Sequence, residues 1–175
     1  MQRVSQRDIA ALGALVDRYQ TRALRAAYLI THDLPLAEDV VSDAFLRVFD
    51  RAHQYDPTRP FGPWFYRIVV NDAIKAVQYR DRTTTLDREE TRRGTSDSTG
   101  PEAATLLNDE RRSVRNALEQ LTPSQRGAVV MRYFLDLSES EMVERTGRTR
   151  GTVKRHLHDA RARLRRLLQA TVRGE

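Results

Sequence analysis

Along most of its length the chain spaces apolar residues as helices do, in two blocks set apart by a polar stretch. In the first block Ile9, Leu12, Leu15, Val16 and Tyr19 fall on one helical face opened by Ser5 and Asp8. Leu24, Ala27, Tyr28 and Ile30 continue that helix or form a second. Pro35 starts the next helix, whose inward positions are Leu36, Val40, Ala44, Val48 and Phe49. After the turn from Tyr55 to Pro60 comes a helix dense in aromatics, in which Phe61, Phe65, Ile68, Val69, Ala73, Ala76 and Val77 form one stripe. From 82 to 104 the pattern stops: Leu86 is the only large apolar residue among Thr, Ser, Gly and charges of both signs, too little to order the segment by burial. The expected fold is therefore all-α, with two small helical domains at residues 1–81 and 105–172 and a flexible linker at 82–104.

The second block carries its own helix signals. Thr122, Pro123 and Gln125 read as an N-cap, a first helical position and a capping-box partner, and Val129, Val130, Tyr133 and Phe134 are the apolar positions before a stop near Leu135 and Asp136. Ser138 and Glu141 repeat the capping signature ahead of a short helix ending at Gly147, whose missing Cβ suits a left-handed turn. Thr149 caps the last helix. There Val153, Leu157, Ala160, Leu164 and Leu168 make the inward stripe, while Arg150, Lys154, Arg155, His158, Arg161 and Arg165 point elsewhere. Two short helices joined by a tight Gly-containing turn, the second basic at its start, form the helix-turn-helix that presents side chains to base edges in the major groove. The cations from Arg148 to Arg173 face only Asp159 and Glu175 in opposition, whereas a merely solvated face would mix signs.

Composition narrows the partners. With 39% hydrophobic and 31% charged residues in 175, the chain suits small helical units better than one large core. A net charge of +6 favours a polyanionic partner, nucleic acid or an anionic membrane. No apolar run approaches the ~20 residues needed to cross a bilayer, and the start Met1-Gln2-Arg3-Val4 is not an apolar signal core, so a soluble cytoplasmic protein is expected. The absence of cysteine excludes disulfides, thiolate metal sites and a thiol redox switch within this chain. His156 and His158 diverge by about 200° on a helix, and His32 and His53 lack obvious partners. With no two-metal carboxylate spacing and no P-loop glycine pattern either, no metal, cofactor or catalytic centre is expected.

Two surfaces stay open to more than one reading. Glu38, Asp39, Ser42 and Asp43 gather acid near a helix N-terminus, where the dipole favours it. The same cluster, with Phe45 or Leu46 for grip, would also serve as a docking surface for a basic partner. On the aromatic helix Trp64, Arg67, Asn71, Lys75 and Tyr79 step by three and four residues and share one side. Rings interleaved with cations and an amide suit unstacked bases of single-stranded DNA. Trp64 could equally pack into the core.

The segments Ala37–Phe49, Tyr55–Ile74, Ala117–Arg126 and Gly151–Leu164, in this order and with a polar tether between the middle two, resemble the extracytoplasmic-function group of bacterial sigma-70 family sigma factors over nearly the whole chain. The resemblance implies that Glu38, Asp39, Val40, Asp43, Phe45 and Leu46 dock on the β′ clamp helices of core RNA polymerase, with the tether threading toward the RNA exit channel and the β flap as a further contact. It implies that Tyr55 to Tyr79 opens the duplex and reads the −10 element as a single strand, with a flipped base near the loop before Pro60 and the face at Trp64, Arg67, Asn71, Lys75 and Tyr79. The −35 duplex would be read by Arg148, Thr149, Arg150, Thr152, Lys154, Arg155, His158 and Arg161. An anti-sigma factor that masks these surfaces is also implied, as is transcription initiation in which the polymerase supplies the nucleotide chemistry.

The sequence departs from the family pattern at the turn, with Arg148 where an apolar residue is usual, Thr146 where Leu is common and Glu139 where an aromatic is frequent, so a less tightly packed turn is expected. Asp159 stands for a basic residue and Arg155 for Ser, which points to a different −35 preference. A short helix that often precedes the segment matching Asp8 to Tyr19 is absent or truncated, which leaves an upstream start codon open. A second reading of the same motifs is a stand-alone helix-turn-helix regulator that binds a palindromic duplex without polymerase.

Overall fold

The computed structural model describes residues 9–52, 55–56, 58–86 and 105–173, and among them there are helices and turns but no strand. Helices α1 (Ile9–Thr31), α2 (Leu34–Asp50) and α3 (Phe61–Leu86) make the N-terminal unit; α4 (Thr105–Glu119), α5 (Pro123–Val129), α6 (Glu139–Thr146) and α7 (Arg150–Arg173) make the C-terminal one. The helix opening expected at Ser5 and Asp8, residues His53 and Pro57, and the segment 87–104 lie outside the described residues. The apolar positions from Ile9 to Ile30 belong to one continuous helix, and α3 runs on past position 81.

Local sequence explains the N-terminal unit. The backbone leaves α1 at His32, in the left-handed region (φ 52°), and Asp33 then caps α2 by accepting from the Leu36 N–H at 3.0 Å, with Pro35 in the first turn. Helix α2 buries Ala37, Val40, Val41, Ala44, Phe45 and Val48. Phe45 packs its ring 4.5 Å from Phe65, which stacks in turn on Phe61, and Tyr19 of α1 meets Phe61 edge-on at 4.9 Å. Outside this aromatic core Arg47 holds Asp72 at 2.5 Å and Arg80 holds Asp33 at 3.2 Å, tying α3 to both ends of α2.

In the C-terminal unit both capping boxes form, Thr122 with Gln125 and Ser138 with Glu141, and Gly147 adopts φ 66° as α6 ends. Helix α5 runs into one π turn, Val130–Phe134, closed by the Leu135 N–H on the Val130 carbonyl at 3.0 Å, before Asp136 breaks the helix at φ 58°. The wider turn changes the register. Tyr133, one of the apolar positions read for this helix, points to solvent and is 56% exposed. Val153, Leu157 and Ala160 of α7 are buried, with Leu164 packed beside Leu118 and Leu121.

The two units share one continuous core, which the composition did not foresee. Helix α3 buries Phe61, Phe65, Val69, Ala73 and Val77 of its expected stripe, with Ile68 and Ala76 partly buried, and, on another side, Tyr66, Val70 and Ile74. That second side meets α5 at Gly127, where a Cβ would lie 2.5 Å from Ile74 Cδ1 and 3.4 Å from Val70 Cγ1. One residue earlier, Arg126 is 6% exposed and buries its guanidinium against carbonyls: Nε donates to Leu118 at 3.0 Å, Nη2 to Leu121 at 3.1 Å and Glu119 at 3.2 Å, and Nη1 to Ile30. The C-terminal ends of α1 and α4, both carrying partial negative charge, thus converge on one cation. Burial pulls the Arg126 guanidinium below its ordinary value, and Glu119 and Asp81 oppose the shift.

His32 sits at the same junction. Neither ring nitrogen finds a hydrogen-bond partner among the described residues, and Glu119 approaches Nδ1 only to 3.5 Å. Burial, then the charges of Arg126, Arg115 and Arg80, lowers its pKa from 6.5 to about 4. Between those values the unfolded chain binds a proton that the folded chain refuses. The stability from this site is therefore complete above pH 6.5 and falls as the pH drops toward 4. We expect urea unfolding to register a loss of about 1.4 kcal/mol per pH unit across this window, and His32→Asn, which tolerates the left-handed backbone, to flatten that slope. Arg126→Met leaves four carbonyls without their cation and should lower stability at pH 7 by about 3 kcal/mol or more in the same assay.

Candidate nucleic-acid interface

The basic face is built by α7 and the turn before it. Thr149 accepts from the Thr152 N–H at 3.2 Å and shares a hydroxyl contact with it at 2.9 Å, which fixes the start of the helix. With the stripe at Val153, Leu157 and Ala160 turned inward, Arg150, Lys154, Arg155, His158 and Arg161 are all exposed, and so are Arg163, Arg165 and Arg166. Asp159 is the one acid on this helix, and His158 Nδ1 approaches it at 3.4 Å. A helix face with this charge bias and an open N-terminal turn presents donors to phosphates and base edges.

The turn is not loose, although its residues depart from the apolar pattern. Thr146 donates to the Met142 carbonyl at 2.6 Å and accepts from the Arg148 N–H at 3.3 Å. Arg148, half-buried, donates from Nη1 to His156 Nε2 at 3.1 Å, and because guanidinium only donates, that nitrogen must be unprotonated. Partial burial and then the Arg148 and Arg155 charges hold the His156 pKa below its ordinary value, with Asp159 opposing. Met142, Val153 and Leu157 beneath the turn are fully buried. His156, dismissed as a metal ligand from its spacing, instead fixes where the Arg148 side chain lies.

On α3 the five residues of the mixed aromatic and basic face lie in different surroundings. Trp64 is half-buried, its ring 5.2 Å from Tyr55 and 5.7 Å from Phe61, so it both packs and keeps an edge outward. Arg67 and Asn71 are half-buried, Lys75 is exposed, and Tyr79 is 70% exposed. The loop before α3 is pinned: Thr58 donates to Asp56 from its N–H at 3.0 Å and its hydroxyl at 2.6 Å, which holds the Asp56 carboxyl below its usual range. Arg59 bonds Asp56 at 3.2 Å and pairs with Glu144 of α6.

The acidic face of α2 divides by helical geometry. Glu38, Asp39 and Asp43 are exposed and Leu46 is 60% exposed, while Val40 and Phe45 belong to the core beneath them. Leu34, at the start of the same helix, is also exposed. Of the two candidate gripping residues, only Leu46 is available at the surface.

A model described as sigma-70 region 2 matches residues 15–83, and one described as sigma-70, region 4 matches residues 111–164; together they cover more than half of the chain. The chain belongs to the extracytoplasmic-function group of the sigma-70 family. The ECF sigma factor SigW of Bacillus subtilis is 27% identical over 97% of this chain and 95% of its own, and the sigma-H factor of Pseudomonas aeruginosa is 28% identical over 99% and 94%. The fold agrees with that of the sigma factor RpoE in its complex with the anti-sigma factor NepR from Bartonella quintana, at 19% identity, 97% and 98% coverage and a TM-score of 0.67. CnrH, solved with the cytosolic domain of CnrY, is 24% identical with 97% and 94% coverage and the same TM-score of 0.67. As a member of this group the chain is a promoter-recognition subunit for core RNA polymerase that acts in transcription initiation.

One member of the basic surface escaped the sequence reading. Tyr133 accepts from Arg161 Nε at 2.7 Å, and the guanidinium lies 5.8 Å from its ring centroid. The ring therefore aims Arg161 across the outer face of α7. The signal for this was a tyrosine, amphipathic by nature, at an otherwise apolar position. Tyr133→Phe keeps the ring and removes the hydroxyl; it should weaken duplex binding by the polymerase holoenzyme about fivefold, the equivalent of one hydrogen bond, with an unchanged urea midpoint. Fluorescence anisotropy with a −35 duplex reads this, and Arg161→Ala should weaken binding further.

Proposed function

We propose that the promoter-directing work of this sigma factor is divided among three faces. Glu38, Asp39, Asp43 and Leu46 engage the clamp helices of the polymerase β′ subunit, with Val40 and Phe45 shaping that face from within. Trp64, Arg67, Asn71, Lys75 and Tyr79 take the −10 element as a single strand. Arg148, Thr149, Arg150, Thr152, Lys154, Arg155, His158 and Arg161 read the −35 duplex. In this reading residues 1–81 and 105–172 are the functional units and 82–104 the tether. The polymerase supplies the chemistry, so the chain itself is not an enzyme and works in the cytoplasm; no described helix is long and apolar enough to cross a membrane. An anti-sigma factor is its proposed regulator, by analogy with RpoE, whose solved form holds one.

The segregation of charge carries the reading. The outward face of α7 exposes seven lysines and arginines against the single acid Asp159, while the exposed face at Glu38, Asp39 and Asp43 is acidic. Opposite fields on one small protein suit two partners of opposite sign: a DNA backbone, and a basic protein surface. Aromatic rings beside cations on α3 suit flipped or unstacked bases, whose unstacking costs a few kcal/mol that stacking on Trp64 can offset in part.

Run-off transcription and promoter binding with and without bacterial core polymerase test this reading. Specific initiation should require core, and Trp64→Ala should cut permanganate reactivity at the −10 region about tenfold, a stacking contribution of about 1.4 kcal/mol, while core binding stays within about twofold. Normal −10 opening by Trp64→Ala would remove that residue from the proposed face. Tight specific duplex binding without core would instead favour a stand-alone regulator.

A further inference from the structure

Two cations of the proposed −35 surface are held in place by other side chains. Tyr133 aims Arg161 and His156 holds Arg148, whereas Arg150, Lys154 and Arg155 make no side-chain hydrogen bond among the described residues. Arg148 is fastened at both ends: its backbone N–H donates to the Thr146 hydroxyl at 3.3 Å, and its Nη1 donates to His156 Nε2, in the second turn of α7, at 3.1 Å. Its Nη2 and Nε donors have no partner among the described residues. Two parallel donors on one guanidinium match the O6 and N7 acceptors that guanine presents in the major groove.

The bond to His156 depends on one proton. A guanidinium only donates and so does an imidazolium, so the pair forms only while the ring is neutral, with its proton on Nδ1. Asn71 and Ile74 of α3, Ser124 and Ala128 of α5, and Met142 and Thr146 of α6 line the crevice around the ring, and none of them carries a charge. The charges that face His156 are Arg148 in the turn and Arg155 and Asp159 on α7. Partial burial and then the two arginines lower the pKa of the ring, with Asp159 opposing. The hold on Arg148 is therefore complete at neutral pH and above, and it is lost as the pH falls through the lowered His156 pKa.

We propose that His156 is a positioning residue for −35 recognition: as a neutral acceptor it holds the Arg148 fork beside the first turns of α7, where the fork reads a guanine, and on taking a proton it lets the fork go. This rests on the assignment of Arg148 to the −35 duplex given above. It adds the base that Arg148 reads and the residue that makes the reading selective. A free arginine gives up rotamer freedom when it grips a base edge, whereas one already held gives up less. Protonation trades selectivity for attraction. The released guanidinium and the new imidazolium both still favour phosphates, which carry no sequence information.

The test reconstitutes holoenzyme from the full chain and bacterial core polymerase, lets it select from a library of random duplexes, and sequences the bound DNA. The unaltered protein should enrich a guanine at one position, and Arg148→Ala should lose that preference about tenfold. His156→Leu should lose the same preference, and His156→Gln, whose amide oxygen accepts as Nε2 does, should keep it. Nitrogen-15 NMR of the free chain follows the His156 titration and should show the neutral ring protonated on Nδ1. As the pH is lowered through that titration, the unaltered protein should lose the guanine preference while its affinity for scrambled duplex holds or rises. His156→Gln should keep a flat preference, and since His32 and His158 are present in both proteins, the difference between them reports His156. A preference that survives in His156→Leu, is lost equally in His156→Gln, or persists in the unaltered protein below the His156 titration overturns the positioning role. A neutral ring protonated on Nε2 overturns it whether or not His156→Leu folds. If Arg148→Ala keeps every base preference of the unaltered protein, the assignment of Arg148 to the −35 duplex fails, and the proposal falls with it.

Discussion

A guanidinium taken out of water must replace each hydrogen bond that it gives up, and Arg126 does so with main-chain carbonyls alone. Those carbonyls belong to the last turn of α1, to the end of α4 and to the loop that follows it. Those of Ile30, Leu118 and Glu119 stand among the last carbonyls of their helices, which lack an intrahelical donor, and Leu118 takes one further bond, from the Leu121 N–H at 3.0 Å. One cation thereby satisfies the open ends of two helices from different units, and the distance between those ends is set by the span of a single planar group. The rest of the interface depends on that spacing. It brings Gly127 onto Ile74, and the glycine in turn allows α5 to approach α3 more closely than any other residue would permit.

Helix α3 consequently serves two neighbours. Its stripe of Phe61, Phe65, Val69 and Ala73 closes the N-terminal bundle, and Tyr66, Val70 and Ile74, about a quarter turn away, pack toward α5. The side left over is the one with Trp64, Lys75 and Tyr79. A helix buried on two sides keeps its remaining side rigid, and a rigid row of rings and cations loses little conformational freedom when a strand is laid along it. The π turn serves the same interface from the other unit: by offsetting the backbone it frees the Phe134 carbonyl for Arg22 and turns Tyr133 outward to Arg161.

Features encoded within a few residues were legible in the sequence. The Thr122 and Ser138 capping boxes, the left-handed Gly147 and the stripe at Val153, Leu157 and Ala160 all depend on near neighbours, and the structure has each of them. What depended on distant partners was not. Nothing local marks Tyr66, Val70 and Ile74 as a second buried side, because the surface that covers them lies some fifty residues further along. Arg126 follows a capping box, where a surface cation is the natural reading, and only the adjacent Gly127 and Ala128 hint at close packing. At Phe45 and Leu46 the sequence offered two candidates for one grip. Adjacent helical positions point about 100° apart, and the Phe65 ring decides which one is taken into the core.

The shared core has a consequence for solubility. Val70, Ile74, Ala128 and Met131 are dry only because the units lie together. When they part, each half presents an apolar strip to water, and such strips adhere to whatever apolar surface is nearest. A molecule with its units apart would therefore be the sticky form, and it would persist only where a large partner is ready to receive it. Crowded with its own copies and short of polymerase, the same chain would tend to cluster rather than remain dispersed.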